Sequence, residues 1–269
     1  MIEKNDEPGA DTSFLAGRNS GRPRLGVVVP LANEEGTIDE LLDRLLPKIE
    51  PNDLIFCVLD RASQDSTRQR VEARAATDTR IALIWAPENR CVVDAYFRGY
   101  KEALAAGCGW ILEMDGGLSH APEQIPRFLQ AMQEGFDFAA GSRFIKGGSH
   151  AGSWFRHLLS RGGTLLTNLL LRTKMCDMTS GFECFTRRAM SLIVEQGVRS
   201  KGTFFQTEIR YALRNSSWVE IPIDYVCTCN SVGQAGILEA ITVLWTLFRQ
   251  RQRADQKEEH HWTRRRSAL

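Results

Sequence analysis

Short apolar runs alternate with segments of helical periodicity along most of this chain, and that alternation leaves few folds open. Leu25-Gly-Val-Val-Val-Pro30, Leu54-Ile-Phe-Cys-Val-Leu59, Ile81 to Trp85 and Trp110-Ile-Leu-Glu-Met114 are each five or six residues long. They are too uniformly apolar for strands with one wet face, so they read as strands buried on both sides. Between the first two, Ile38, Leu41, Leu42, Leu45 and Leu46 recur at helical spacing. A polar helix rich in Arg and Glu follows Thr67, and another runs from Val92 to Ala106 until Gly107 ends it. Strands alternating with helices of this length predict an α/β fold, a Rossmann-like, mainly parallel, doubly wound sheet flanked by helices.

The second half keeps the alternation less cleanly. Helices are expected over Ile125 to Met132, Trp154 to Leu171, Arg187 to Glu195 and Phe204 to Arg214, with strands over Phe136 to Ala140 and Trp218 to Tyr225. Three regions are expected: a loose polar tail over 1–24, one main domain over 25–235, and an apolar helix with a basic tail over 236–269. From Phe248 onward that last region holds seven Lys and Arg against Asp255, Glu258 and Glu259, so it could lie on an anionic membrane surface. The formal net charge of the 269 residues is only +1, which argues against a nucleic-acid partner. Seven cysteines, an odd number without a C-x-x-C pair, and no signal peptide point to a reducing cytoplasm, with peripheral membrane contact at most. Gly236 to Phe248 is too short to span a bilayer and carries Glu239.

Polar clusters follow the strands: Asn33-Glu34-Glu35, Asp60 through Ser63 to Asp65, Asn89, Asp115, and Gly141-Ser-Arg143. In a parallel sheet the carboxyl ends of the strands line one edge, so these groups are expected to converge on one cleft. Carboxylates there can hold base, ribose and a hard cation, and arginine can meet phosphate oxygens. Asp115, closing an apolar strand at a small-residue turn, is the first candidate for chemistry. Neither G-x-G-x-x-G nor G-x-x-x-x-G-K occurs, which disfavours dinucleotide oxidoreductases and P-loop enzymes.

These residues carry a resemblance. Pro30-Leu-Ala-Asn33-Glu34 resembles the opening Pro-x-x-Asn-Glu of family 2 glycosyltransferases, and Leu59-Asp60-Arg-Ala-Ser63-Gln-Asp65-Ser-Thr67 resembles their Asp-Asp-x-Ser-x-Asp-x-Thr. The dolichyl- or polyprenyl-phosphate mannosyltransferase branch is matched further at Asp115 to His120 with Pro122, Gly141 to Gly148, Ser160-Arg161-Gly162, Asp177 to Phe182, Phe205-Gln206-Thr-Glu208 and Ile221-Pro222-Ile223. The resemblance implies a glycosyltransferase A-type fold, a nucleotide-diphosphate sugar as donor, a divalent cation (Mg²⁺ or Mn²⁺) and a lipid phosphate acceptor, with inversion at the anomeric carbon. It puts Pro30, Asn33, Glu34 and Asp60 against the nucleoside, Asp115 on the metal, and Arg143 and Arg161 on the phosphates. Gln206 and Glu208 fall on the acceptor or sugar side, with ordinary helix packing the alternative for both and for Phe205.

The chain also departs from the pattern. Gly117 stands where the second Asp of Asp-x-Asp belongs, Leu59 replaces one member of the acidic pair, and Tyr225 to Gly236 contains no Lys or Arg where a basic loop is usual. Glu113, on the same strand face as Asp115, or His120 could stand in as a ligand. The rival reading is a catalytically weakened relative that binds a nucleotide sugar or a partner protein. A nucleotidyltransferase is disfavoured by the absence of a basic, Gly-rich N-terminal loop.

Overall fold

The structure, a computed structural model, describes residues 21–151, 154–226 and 234–266, except the side chains of 156, 234, 235 and 257–266. Four parallel strands form its first half: β1 (Leu25–Leu31), β2 (Leu54–Leu59), β3 (Ile81–Trp85) and β4 (Trp110–Glu113). They are joined by α1 (Ile38–Leu45), α2 (Thr67–Ala75) and α3 (Val92–Ala105). In the second half, α4 (Ile125–Gln133) precedes β5 (Phe138–Ser142), and a short strand β6 (Ser149–Ala151) leads to α5 (Trp154–Leu171). Then come β7 (Glu183–Thr186), α6 (Arg187–Gln196), α7 (Phe205–Ala212), β8 (Trp218–Pro222), β9 (Asp224–Val226) and α8 (Gln234–Arg266). The main sheet runs β3-β2-β1-β4-β7-β5-β8, and β6 and β9 form a separate parallel pair.

Strand pleating sorts the core into two layers. Val27 and Val29 of β1 pack on one face with Leu41, Leu42 and Leu45 of α1 and Phe128 of α4. Val28 faces the other way and meets Tyr96 and Tyr100 of α3, with Phe205 and Ile209 of α7 in the same cluster. Gly107 ends α3 as expected. Its φ of 79° is left-handed, and the amides of Cys108 and Gly107 donate back to the carbonyls of Ala103 and Leu104, a Schellman closure.

Three features escaped the sequence reading. The strand β7 was not foreseen, and it runs antiparallel to both β4 and β5, so the mainly parallel sheet contains one reversed strand. The expected strand over Trp218 to Tyr225 is split at Ile223, and its second part pairs with β6 rather than with the main sheet. Finally, α8 continues through the expected basic tail to Arg266, and its Val243, Leu244 and Leu247 pack with Leu171 and Tyr211 in a third core cluster. Residues 1–20 of the expected tail lie outside the described residues. Arg22 and Arg24, which that expectation included, are tied down instead: Arg22 to Asp53 and Glu50, Arg24 to the carbonyls of Asn52 and Ala106.

Close approach of α3 to the sheet depends on Gly99, where an added Cβ would lie 2.3 Å from Val28 Cγ1. Gly99→Ala is therefore expected to lower unfolding free energy by about 1–3 kcal/mol through overpacking. Urea denaturation checks this, and an unchanged midpoint would mean that α3 sits farther from β1.

Candidate active site

The carboxyl ends of β1, β2, β3 and β4 lie along one edge of the sheet, as the parallel order requires. The turns after β1 and β2 are zipped together there. Asn33, at φ 59°, donates from its side chain to the Ala62 carbonyl (3.1 Å) and accepts from the Gln64 amide (2.8 Å). The Glu34 amide donates to Thr67 Oγ1 (2.7 Å), Thr37 Oγ1 donates to the Glu34 carboxylate (2.7 Å), and the Ala62 amide donates to Asp60 Oδ1 (2.8 Å). Pro30 closes the turn from the β1 side, paired in register with Val58. Asn33, Glu34 and Asp60 thus belong to one hydrogen-bonded double turn, with Pro30 beside it near the end of β1. Gly116 draws Asp115 up to it: a Cβ there would meet Leu31 Cδ2 at 2.4 Å and the Pro30 carbonyl at 3.1 Å.

Two tyrosines one helical turn apart on α3 organise the acidic residues in and just after β4. Tyr96 donates to Asp115 Oδ1 (2.9 Å), and Tyr100 donates to the Glu113 carboxylate. The Asp115 side chain remains 42% exposed, with Oδ2 3.7 Å from His120 Nδ1. His120 is 1% exposed, stacked on Phe182 and tilted against Tyr225, and its Nδ1 accepts the Asp115 amide (3.3 Å). Burial pushes the His120 pKa down.

Glu113 is not available as a ligand. It is fully buried and lies directly opposite Glu183 across the β4–β7 pair. The fully buried Arg210 guanidinium pairs with Glu183, donates to the Asp177 carbonyl, and donates to the carbonyls of Ser180 (3.0 Å) and Gly141 (3.3 Å). One arginine cannot neutralise both carboxyls. Burial, then repulsion from Glu183, pushes the Glu113 pKa up; burial pushes Glu183 up to about 7 although Arg210 pulls it down. Sequence reading missed this cluster, although a Glu inside an otherwise apolar strand run was its visible signal.

Arg143 lies in the cleft but is already partnered. It forms a two-point bond with Asp177, Nε to Oδ2 at 2.7 Å and Nη2 to Oδ1 at 2.8 Å, and donates to Thr179 Oγ1 at 2.6 Å. Burial acts to raise the Asp177 pKa, but the Arg143 guanidinium holds it at about 2. Arg161, on α5, is exposed and has no carboxylate partner among the described residues. The two arginines flank one ring, with Arg143 Cζ 5.1 Å and Arg161 Cζ 5.3 Å from the centre of Phe144. Gln206 lines the cleft, whereas Glu208 is engaged elsewhere, accepting the amides of Arg199 (3.0 Å) and Ser200 (2.8 Å). Phe205 packs against Tyr96 with ring centres 5.1 Å apart.

The cleft has a volume of about 630 Å³ and a lining of two unlike kinds. Asp115, His120, Arg143, Ser180 and Gln206 are part of its polar lining; Phe155, Leu158, Leu159 and Leu166 of α5 and Ile237, Ile241 and Leu244 of α8 are part of its apolar lining. No group of three or more His, Cys, Asp or Glu is placed to hold a metal among the described residues. Asp115, exposed at the cleft, is of the right chemistry to share a cation with a bound diphosphate, since Mg²⁺ is commonly held by one or two carboxylates plus substrate phosphates and water. The stretch 227–233, which includes much of the missing basic loop, lies outside the described residues.

The buried carboxyl pair generates a pH prediction. The folded state keeps a proton on Glu113 that the unfolded state releases above about pH 4.5, so this contribution is complete below pH 4.5 and is lost as pH rises through the raised folded-state value. His120 works in the opposite direction, because its lowered pKa costs stability as pH falls below its ordinary value of 6.5. The clean observable is the difference between Glu113→Gln and wild type. As pH rises from about 5 to 8 the variant should gain relative stability, by up to about 1.4 kcal/mol per pH unit for one proton. A pH-independent difference in urea midpoints would contradict it.

Comparison with known proteins agrees with this architecture. The sequence profile of "Glycosyl transferase family 2" matches residues 26–193. An undecaprenyl-phosphate mannosyltransferase of Micrococcus luteus is 30% identical over 207 residues, covering 76% of this chain and 84% of that protein. A polyprenol monophosphomannose synthase of Mycolicibacterium smegmatis is 29% identical over 206 residues, 74% of this chain and 76% of its own. A dolichol-phosphate mannosyltransferase of Pyrococcus furiosus is 27% identical over 259 residues, 82% of this chain and 72% of its own. Among solved structures, glucosyl-3-phosphoglycerate synthase from Mycobacterium tuberculosis with uridine diphosphate superposes with a TM-score of 0.61 at 17% identity, over 90% of this chain and 86% of that one. The same synthase with Mn²⁺, uridine diphosphate and phosphoglyceric acid gives 0.61 at 16% identity, over 85% and 79%. With a glycosyltransferase A-type sheet and a cleft at its strand ends, the chain belongs to glycosyl transferase family 2.

Proposed function

We propose that this protein transfers a hexose, mannose by similarity to its relatives, from a nucleotide-diphosphate sugar to a polyprenyl phosphate. The observation that carries the reading is the mixed lining of the cleft: polar groups that include Asp115 and Arg143 share one cavity with apolar side chains of α5 and α8. A charged head on a long hydrocarbon tail is the ligand that such a cleft suits.

The chemistry needs little from the protein beyond placement. A lipid phosphate is already anionic, so its oxygen attacks the anomeric carbon without a general base. The bond from that carbon to the donor diphosphate breaks as the new bond to the acceptor phosphate forms, with inversion. The double turn of Pro30, Asn33, Glu34 and Asp60 holds the nucleoside, and Arg143 and Arg161 face the phosphates. A divalent cation on Asp115 would neutralise diphosphate charge. Arg143 is positioned by Asp177, so of these two arginines Arg161 is the one without a carboxylate partner among the described residues. Glu208, occupied with the 199–200 backbone, supports the cleft wall rather than the sugar.

A second reading, binding without transfer, is favoured by Gly117 and by the lack of Lys or Arg from Tyr225 to Gly236. Incubation with a panel of nucleotide sugars and polyprenyl phosphate, with and without Mg²⁺ or Mn²⁺, decides between them. Transfer abolished in Asp115→Asn supports the enzyme, and donor binding without any transfer supports the alternative. Because charge develops on the departing diphosphate, Arg161→Ala should lower turnover about a hundredfold, roughly 2.7 kcal/mol, with a smaller loss of donor affinity. Arg143→Ala is a poorer probe, since it also leaves Asp177 buried and unpaired, at about 3–5 kcal/mol of stability. Turnover indifferent to Arg161→Ala would place the phosphates elsewhere.

The same reading needs contact with a bilayer. No helix is long and apolar enough to cross a membrane among the described residues. Instead α5 exposes Trp154 (76%), Leu165 (71%) and Leu169 (73%), and α8 exposes Leu238 (66%), Ile241 (56%) and Trp245 (53%). With the basic stretch beginning at Arg249, this face suits the interface of an anionic membrane. Replacing Leu165, Leu169 and Leu238 together with Ser should cut co-sedimentation with anionic vesicles about tenfold or more, each exposed Leu contributing about 1.5–3 kcal/mol when buried. Melting should not change, because these side chains make no core. Removing 236–269 is the less specific test, since it also strips Val243, Leu244 and Leu247 from the fold. Unchanged sedimentation of the triple variant would contradict the docking face.

A further inference from the structure

Three buried polar groups in the lining of the cleft have no hydrogen-bond partner among the described residues: His120 Nε2, Ser180 Oγ and Gln206 Oε1. His120 is 1%, Ser180 2% and Gln206 3% exposed, and all three line the cleft beside Asp115. Leaving such a group unsatisfied costs about 1–3 kcal/mol, so three converging on one cavity mark a place where a ligand completes the bonding.

The chemical character of the set is defined. The Asp115 amide can only donate, so His120 Nδ1 accepts and the neutral ring carries its proton on Nε2, as a donor. Gln206 Oε1 is an acceptor, and the Ser180 hydroxyl can do either. Gly181 keeps the space between them open: a Cβ on it would lie 3.1 Å from Gln206 Nε2 and 3.9 Å from His120 Cε1. Phe182, stacked on His120 with ring centres 5.0 Å apart, fixes the imidazole plane. No side-chain charge belongs to the trio, so it is unsuited to a phosphate. Neighbouring hydroxyls, each a donor and an acceptor, satisfy a donor, an acceptor and a hydroxyl arranged around a small gap.

We infer that His120, Ser180 and Gln206 form the subsite that reads the hydroxyls of the donor hexose, with Gly181 as the opening that admits the ring. This rests on the nucleotide-sugar reading of the cleft and adds which residues discriminate the sugar from the nucleotide. Gln206 and His120 are specificity determinants here and not metal ligands.

The test compares each nucleoside diphosphate with its own sugar conjugate, GDP with GDP-mannose and UDP with UDP-glucose, by calorimetry on the full chain with Mg²⁺ present. The variants are Gln206→Met, His120→Phe, which keeps the stack on Phe182, and Gly181→Ala. The expected result is that the preferred nucleotide hexose binds wild type more tightly than its diphosphate. Each variant should lose about tenfold or more in conjugate affinity, while the diphosphate stays within about twofold. Deoxy-hexose donors on wild type give a readout that does not depend on variant folding. At least one should bind about tenfold more weakly than the parent sugar, and that same donor should lose nothing further in Gln206→Met. Equal losses for diphosphate and conjugate would overturn the inference while leaving the nucleotide site standing. So would a wild type that gains nothing from the sugar. Failure of both diphosphates and both conjugates to bind would overturn it together with the proposed function.

Discussion

The Arg210 guanidinium is the contact on which the candidate site depends. It carries no exposure at all, yet it joins Glu183 of the reversed strand to the carbonyls of Asp177, Ser180 and Gly141. Those four attachments set the end of β5 against β7 and hold the 177–181 segment that frames the cleft. Asp177, fixed in this way, grips Arg143, and Ser180 and Gly181 are presented beside His120. Removing one partner of a buried ionic cluster leaves an uncompensated charge, so the cost of altering Arg210 would be global.

Asp115 is held with similar economy. Tyr96 fixes one carboxylate oxygen and Gly116 brings the backbone against the first turn, while the other oxygen stays accessible to the cleft. On the proposed function, a single carboxylate without a cation cage among the described residues would tie cation binding to the arrival of a diphosphate. The two helices that give the cleft its apolar lining, α5 and α8, also expose leucines and tryptophans. On the proposed function, acceptor access and membrane contact are two aspects of this helix pair.

Much of the first half was legible in the sequence because its signals are local. Apolar runs such as Leu25 to Pro30 can only be buried strands, and the parallel order then forces Asn33, Asp60 and Asp115 to one edge. Long-range charge pairing was not legible. Glu183 and Arg210 are separated by 27 positions and Glu113 and Glu183 by 70, and nothing in their local spacing announces that they meet. The same limit explains Arg143, which its motif assigns to phosphate and whose partner Asp177 lies 34 positions away. The strand β7 is only four residues long and sits between a turn and a helix, too short for its period of two to register. Glu208 was singled out by its place in a motif, yet its carboxylate braces a loop, a role that no spacing distinguishes from ligand contact.

On the proposed function, one cleft receives a lipid phosphate with its head near Asp115 and its chain along α5 and α8. A polyprenyl phosphate carrying a photoreactive diazirine on its first isoprene unit tests it directly, with labelled peptides mapped by mass spectrometry. The account predicts label on Phe155, Leu158, Ile237 or Ile241, competed by unlabelled polyprenyl phosphate. Label concentrated on the turns around Asn33 and Asp60, or spread over the surface without competition, would contradict it.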